Sequence, residues 1–158
     1  DIGHWTFIHH PWSFALPFKA DQTGFTKTFL GSEALDKATD APYTLTFVGN
    51  DLRKIETREA VVCDAQGHEI GKVLTCATDM AIDRVDGRIV SLTTPIESGR
   101  PANFTPRGLC CGFVRVSEPL AAGTIVHLSE GRRTLKVEIR DEIRPDRTAR
   151  QSLTRFLP

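Results

Sequence analysis

Cysteine is the most reactive side chain in this sequence, at Cys63, Cys76, Cys110 and Cys111. No two of these residues have the C-x-x-C spacing of zinc sites and thiol redox motifs. Because neighbouring side chains in a strand point to opposite faces, Cys110 and Cys111 would diverge rather than share a metal or a disulfide. We therefore expect four free cysteines that act as small apolar residues on strands, and a reduced, cytoplasmic origin.

The histidines offer a second possible chemistry, metal binding or proton transfer. His4, His9 and His10 lie close together, but His9 and His10 are adjacent and no cysteine or carboxylate stands at ligand spacing nearby. We expect these three to pack among neighbouring aromatic side chains. His68 falls in a turn and His127 in a strand, and neither has a companion nucleophile, so both are interpreted as structural.

Three other patterns in the sequence could indicate sites. Gly67 and Gly71 have no third glycine and no phosphate-loop Lys-Ser/Thr, which favours a hairpin turn, and no serine stands in a G-x-S-x-G motif. The basic side chains near the end of the sequence fit either a small patch for a phosphate or a glutamate tail, or a salt-bridged surface; they are Arg132, Arg133, Arg140, Arg144, Arg147 and Arg150. Interleaved acidic residues favour the salt-bridged surface. The sequence thus predicts no catalytic residue and no metal site, and leaves any cofactor-binding residues unknown.

Length and composition limit the classes of protein to which this chain can belong. The 158 residues are 40% hydrophobic and 25% charged, which fits one compact domain. Twenty basic and twenty acidic residues give zero net charge, which argues against nucleic-acid binding. The longest apolar runs are too short to span a bilayer, so no membrane partner is expected. The chain begins at Asp1 and its only methionine is Met80, which leads us to expect a processed chain or an excised piece.

The elements that must position these residues are mainly strands. Residues 1–28 are rich in aromatic side chains, are broken by prolines and Gly24, and predict an irregular segment. Residues 29–38 predict one short helix with Ser32 or Thr28 as its N-cap. About seven strands follow, at 43–48, 60–64, 69–75, 88–93, 109–116, 124–128 and 134–139. Alternation in the last strand predicts one buried and one solvated face, and the whole pattern is typical of a closed or sandwich-like antiparallel β domain.

Four segments in order resemble a known family. Residues 29–35 (FLGSEAL) look like an F-I-G-x-x-A-L element, and residues 67–76 (GHEIGKVLTC) resemble a G-x-x-[VI]-G-x-[VI]-T-S strand pair, with Cys76 where serine is usual. Residues 109–114 (LCCGFV) are similar to a small-residue strand that ends in an aromatic and valine, and residues 119–126 (PLAAGTIV) match a G-T-x-[VL] strand. The family is that of the glycine cleavage system T-protein, the aminomethyltransferases.

The resemblance implies a small antiparallel β-barrel with one short helix and an irregular aromatic-rich N-terminal segment. It assigns residues 1–40 to a connecting segment and short helix from an upstream folate-binding module, and residues 41–158 to the family's C-terminal barrel. The implied cofactor is tetrahydrofolate, bound mainly by the upstream module, and the implied substrate is a small methylated or aminomethylated donor. No catalytic residue carries over.

Three hypotheses for function follow. In the first, the chain is the C-terminal domain of a tetrahydrofolate-dependent aminomethyl- or methyltransferase, supports one-carbon transfer, and is inactive alone. In the second, it is a non-catalytic folate-binding or protein-interaction module. In the third, it is a β-barrel binding module unrelated to folate. The donor, the oligomeric state, and the roles of Cys110, Cys111, His4, His9 and His10 are left open by the sequence.

Overall fold

A computed structural model of the chain describes residues 16–21, 23–37 and 42–143. In this part of the chain the structure is mainly β, with one short α-helix and one turn of 3-10 helix at Ile96–Ser98. The elements are α1 (Ser32–Asp36), β1 (Tyr43–Val48), β2 (Val61–Cys63), β3 (Glu69–Asp79), β4 (Ile82–Val85), β5 (Arg88–Ser91), β6 (Leu109–Val116), β7 (Ile125–Glu130) and β8 (Arg133–Arg140).

Six of the strands form a closed barrel in the order β1-β6-β3-β2-β7-β8, and all neighbouring pairs are antiparallel. The barrel closes where β1 pairs with β8 as well as with β6. There the buried hydroxyl of Thr46 donates a hydrogen bond to the carbonyl of Arg140. Because β1 lies beside β6 rather than beside β2, the four strands β1, β6, β3 and β2 make a Greek key. The predicted mainly-β fold is confirmed, and of the two architectures that the pattern allowed it is the barrel.

Apolar side chains fill the barrel interior. Every second residue of β6 from Cys110 to Val116 is buried, and β8 buries Val137 and Ile139 between exposed or half-buried polar residues. This period of two directs one face of each strand inward. The buried core cluster of the barrel is Phe47, Ile55, Ala60, Val62, Val73, Val114, Val116, Val126, Leu128, Val137 and Ile139.

The hairpin of β4 and β5 forms a separate two-stranded sheet. Its two-residue turn is Asp86-Gly87, and both residues have positive φ, 49° and 77°. This is the geometry that favours Asp-Gly in tight hairpins. Ile82 and Ile89 of the hairpin share a second core cluster with Val48 and Leu109 at one end of β1 and β6. The hairpin therefore packs on the barrel through its own apolar side chains.

The predicted strands are all present, with differences at their ends. Strand β3 continues to Asp79, beyond the predicted end at residue 75, because β6 pairs with it along its whole second half. Strand β4 was not predicted: its four residues hold two charged side chains, Asp83 and Arg84, whose hydrogen bonds make their partial burial possible.

The short helix is present, but its predicted cap is wrong. Gly31 occupies the N-cap position in the left-handed conformation, and no side chain caps the helix. Ser32 lies inside the helix, where its Oγ accepts the backbone N–H of Phe29 at 3.4 Å. In the described part of the aromatic-rich segment, the rings of Phe18 and Phe25 and those of Phe25 and Phe29 have centroids 4.9 Å apart. The division proposed between residues 40 and 41 lies outside the described residues.

Candidate functional site

A surface pocket of about 470 Å³ opens between the barrel and the β4–β5 hairpin. Its walls come from three places in the sequence: residues 50–53 after β1, Asp83 of β4, and Arg107 with Gly108 before β6. The loop after β1 is held by backbone hydrogen bonds, since Cys110 donates its N–H to the carbonyl of Asp51 and Gly49 donates to the carbonyl of Cys110. The pocket is therefore built on the end of the β1–β6 pair.

One side of the pocket carries an Asp51–Arg53 ion pair. Oδ2 of Asp51 lies 2.8 Å from both Nε and Nη2 of Arg53, and Oδ1 accepts the backbone N–H of Arg53 at 2.8 Å. The side-chain hydrogen bonds from Arg53, followed by its backbone N–H, lower the pKa of the Asp51 carboxyl. The side-chain hydrogen bonds to the Asp51 carboxylate, and then its negative charge, raise the pKa of Arg53. Both groups are charged at neutral pH.

The opposite side carries Asp83, a nearly buried carboxylate. Its Oδ2 accepts the backbone N–H of Arg107 at 2.9 Å and Nε of the same residue at 3.3 Å, while Oδ1 accepts the backbone N–H of Arg84 at 2.8 Å. Burial alone would raise the pKa of Asp83, but the two backbone N–H groups and the Arg107 guanidinium outweigh it, and the pKa is lowered. The Arg107 side chain is 88% exposed, which leaves most of its donors open to a ligand.

Gly108 lets the chain pass close to the pocket wall. Its φ is 89°, and a Cβ at this position would lie 2.8 Å from Cδ2 of Leu52 and from Sδ of Met80. Glycine is the residue that adopts this backbone conformation without strain. Leu52 and Met80 are 43% and 57% exposed, so an apolar surface lies next to the two ion pairs. The pocket can hold a small polar molecule with a carboxylate for Arg107 and an apolar part for Leu52.

The four cysteines are free and lie on strands, as predicted. Only Cys110 is buried, whereas the other three are half-buried, and of these Cys76 packs against the barrel core. The four cysteines expected to act as small apolar residues are therefore fully buried at Cys110 and partly buried at Cys63, Cys76 and Cys111. The origin expected from them stays a prediction.

His68 lies in the turn between β2 and β3, as predicted. Its Nδ1 is 3.1 Å from Oδ2 of Asp64, and the same carboxylate accepts the backbone N–H groups of Gln66 and His68. Burial raises the pKa of Asp64, and these contacts reverse the shift and lower it. His127 lies on β7. His4, His9 and His10 fall outside the described residues.

Of the basic residues near the end of the sequence, Arg140 contacts a carboxylate: its Nη1 lies 3.0 Å from Oε1 of Glu138. This matches the salt-bridged surface expected there. Arg132 and Arg133 lie at the β7–β8 turn, while Arg144, Arg147 and Arg150 fall outside the described residues.

Sequence reasoning missed the pocket. Its local signals are the Asn50-Asp51 pair after a strand and the Arg107-Gly108 pair before one, both at strand ends where loops carry function. Asp83 gave no signal, because it lies in a strand that was not predicted and meets Arg107 only through tertiary folding.

No group of three His, Cys, Asp or Glu side chains that could hold a metal ion occurs within residues 16–21, 23–37 and 42–143. In the same part of the chain no helix has the length and apolar character needed to cross a bilayer. The chain matches no family model, no curated protein and no solved structure. Evidence on function therefore comes from the chemistry of the pocket and from the positions of the four motif segments.

Proposed function

We propose that this chain is the C-terminal β-barrel of a tetrahydrofolate-dependent aminomethyl- or methyltransferase. In this role it packs against an upstream folate-binding module of the same protein. It helps to hold tetrahydrofolate and a small methylated or aminomethylated donor in a water-poor pocket. Positioning two reactants in this way supplies much of the catalysis in group transfer. The reacting groups belong to the upstream module, and no catalytic residue is assigned here.

The positions of the four motif segments support the proposal. Residues 29–35 lead into and occupy α1, residues 67–76 form the turn before β3 and most of that strand, residues 109–114 lie in β6, and residues 119–126 lead into β7. Strands β3 and β6 are hydrogen-bonded neighbours in the barrel. The segments that carry the resemblance thus coincide with α1, with two neighbouring strands of the barrel and with the loop that leads into β7. This observation carries the proposal.

Because side chains fill its interior, the barrel is better suited to support a ligand site on its outside than to enclose a ligand. A barrel of six strands is narrower than the eight-stranded barrels whose interiors just accommodate side chains. Here Phe47, Val62, Val114 and Leu128 are fully buried inside it. A ligand of folate size therefore has to contact the outside of the barrel, where the pocket beside Arg107 lies.

One-carbon transfer is the direct test. The isolated chain, incubated with tetrahydrofolate and methylated or aminomethylated amines, is expected to give no transfer, while the product of the complete encoding reading frame does. Turnover by the isolated chain would refute the assignment of the chemistry to an upstream module. A reading frame that holds no folate-type module before Asp1 would refute the proposal itself.

A non-catalytic folate-binding module is the second candidate, and the exposed Arg107 guanidinium favours it. A guanidinium is well suited to the carboxylates of a glutamate tail, and Leu52 offers an apolar contact beside it. Under this candidate the isolated chain binds tetrahydrofolate saturably. Arg107→Gln then weakens binding about tenfold, the loss of roughly one charged hydrogen bond. Lys72→Gln, on the exposed part of β3, is the matched control and leaves the titration unchanged.

A further inference from the structure

Cys76 and Cys110 lie side by side, although they are far apart in the sequence. Strands β3 and β6 pair so that Cys76 is opposite Gly112 and Thr78 is opposite Cys110. The two cysteines are therefore diagonal neighbours on the same face of the sheet, and their thiols interact electrostatically. Cys111 points to the other face of β6, and Cys63 lies on β2 opposite Glu69 and His127.

Two glycines provide the space for this contact. Gly112, opposite Cys76, has no side chain to separate the thiols, and a Cβ there would lie 1.9 Å from the carbonyl oxygen of Thr75. Gly49 flanks Cys110 on the β1 side, and a Cβ there would lie 2.2 Å from Sγ of Cys110. The sulfur of Cys110 thus fills a space that a larger residue at position 49 would occupy.

The surroundings of Cys76 favour its thiolate. The thiol of Cys110, the backbone N–H of Ile55 and the ammonium group of Lys54 all favour a negative charge on its sulfur. The Cys110 contact is the main reason that the pKa of Cys76 falls well below its ordinary value, against the opposing effect of burial. The pKa of Cys110 is raised, first because its proton is held by Cys76 and then because of burial. Cys76 is half-buried, so small reagents reach it.

We propose that Cys76 and Cys110 form a peroxide-reactive thiol pair, with Cys76 as the reacting sulfur and Cys110 as the resolving one. The Cys76 thiolate attacks one oxygen of hydrogen peroxide, the O–O bond breaks, and the departing hydroxide takes up a proton to give water and a Cys76 sulfenic acid. The sulfur of Cys110 then attacks Sγ of Cys76 and loses its proton as the S–O bond breaks. A second water leaves, and the two thiols have given two electrons to the peroxide.

The order of the two cysteines follows from their contact. While Cys76 is a thiolate, it holds the proton of Cys110 and keeps that thiol unreactive. Oxidation to a neutral sulfenic acid removes this negative charge, so Cys110 then ionises more easily. Diagonal neighbours on antiparallel strands have Cα atoms about 7–8 Å apart, slightly beyond the usual span of a disulfide. Formation of the bond therefore requires a local shift of the backbone in β3 or β6, and the strained bond is readily reduced by dithiothreitol.

Peptide mapping of the full chain tests the pair directly. After treatment with hydrogen peroxide at neutral pH, a thiol count in denaturant is expected to fall from four to two. Trypsin separates Cys63 in peptide 59–72, Cys76 in peptide 73–84, and Cys110 with Cys111 in peptide 108–115. The expected product is a dithiothreitol-sensitive link between peptides 73–84 and 108–115. A link that involves peptide 59–72, or no link at all, refutes the proposal.

Two substitutions identify the sulfurs. Cys111→Ser is the matched control and keeps the link, whereas loss of the link in this variant refutes the assignment to Cys110. In Cys110→Ser the reaction stops at the sulfenic acid of Cys76, which dimedone traps. In the unsubstituted chain, Cys76 reacts with iodoacetamide at neutral pH about tenfold faster than Cys63. Equal rates at the two residues would show that Cys76 is not activated.

Discussion

Gly108 is the residue on which the shape of the candidate pocket depends most. It adopts a left-handed backbone conformation, and the side chains of Leu52 and Met80 occupy the space that a Cβ would need. Gly123 has nearly the same φ, 90°, but nothing lies within 4 Å of the Cβ position there. Alanine at Gly123 would therefore test the free-energy cost of the backbone conformation alone, whereas alanine at Gly108 would add the cost of a steric clash.

Alanine at these two positions gives different losses of stability. Gly123→Ala is expected to lower the free energy of unfolding by about 1 kcal/mol, the cost of a Cβ in the left-handed region. Gly108→Ala is expected to lower it by about 2 kcal/mol, because the new methyl group also displaces Leu52 and Met80. Urea unfolding measures both values. Equal losses would mean that the pocket wall adjusts freely around residue 108.

For single residues, the sequence predicts the type of element in which a residue lies better than it predicts which residues are in contact. It places all four cysteines on strands and His68 in a turn, because strand and turn signals are local. It does not place Cys76 against Cys110 or Asp83 against Arg107. Those contacts depend on the β3–β6 register and on an unpredicted strand, and both are set by packing across the whole sheet.

Among the elements, the β4–β5 hairpin is joined to the barrel by a charged contact as well as by its apolar side chains. Nη2 of Arg84 on β4 lies 2.8 Å from Oε2 of Glu138 on β8, and these side chains are 21% and 17% exposed. Arg140 binds the other carboxylate oxygen at 3.0 Å. Burial raises the pKa of Glu138, but the two guanidinium groups outweigh it and the pKa is lowered.

The Glu138 contact makes stability depend on pH. Because the pKa of Glu138 is lower in the folded state than its ordinary value of 4.5, its contribution is complete above that pH and is lost as the pH falls through the folded pKa. Glu138→Gln is expected to lower the free energy of unfolding by about 1–3 kcal/mol at pH 7. The difference in free energy of unfolding between this variant and the unsubstituted chain becomes smaller at acidic pH.

The matched control for Glu138 is Glu69→Gln, on an exposed position of β3. Removing this carboxylate is expected to change the free energy of unfolding by less than about 0.5 kcal/mol, as is usual for exposed side chains. Denaturant unfolding from pH 3 to 7 provides the comparison. If the two variants lose equal stability at every pH, Arg84 and Arg140 do not stabilise the Glu138 carboxylate.

Elements with a regular apolar pattern are the ones that the sequence predicts well. Strand β6 has its predicted ends because residues 109–114 form a continuous run without a charged side chain, and β8 differs by one residue at each end because apolar and charged residues alternate from Leu135 to Arg140. Strand β4 is short and half charged, so it has no such pattern. The N-cap of α1 was missed because Gly31 replaces a side-chain cap with a backbone turn.

For the whole molecule, the sequence indicates an antiparallel β domain but not its strand order. Short strands separated by turns fit a sandwich and a barrel equally well. The order β1-β6-β3-β2-β7-β8 brings together strands that are distant in the chain, and the closing pair of β1 and β8 joins its two ends. Such pairings leave no local signature in the sequence.

Hydrogen exchange tests this arrangement. The amides of Val114 and Val116 lie in a buried strand that is paired on both sides, so they are expected to exchange only through global unfolding. The amides of the β4–β5 hairpin exchange faster, through local opening. NMR-detected exchange under native conditions compares the two sets. Faster exchange in β6 than in the hairpin would contradict the closed order.

Closure of the barrel also limits how another chain can attach. Each of its six strands has a hydrogen-bonded neighbour on both sides along at least part of its length, although β3 pairs with β2 only as far as Lys72. Among the strands described, β4 and β5 pair only with each other. Backbone pairing with a partner, or with a second copy during aggregation, is thereby directed to the hairpin and to the second half of β3, while the strand segments paired on both sides are left to side-chain contacts.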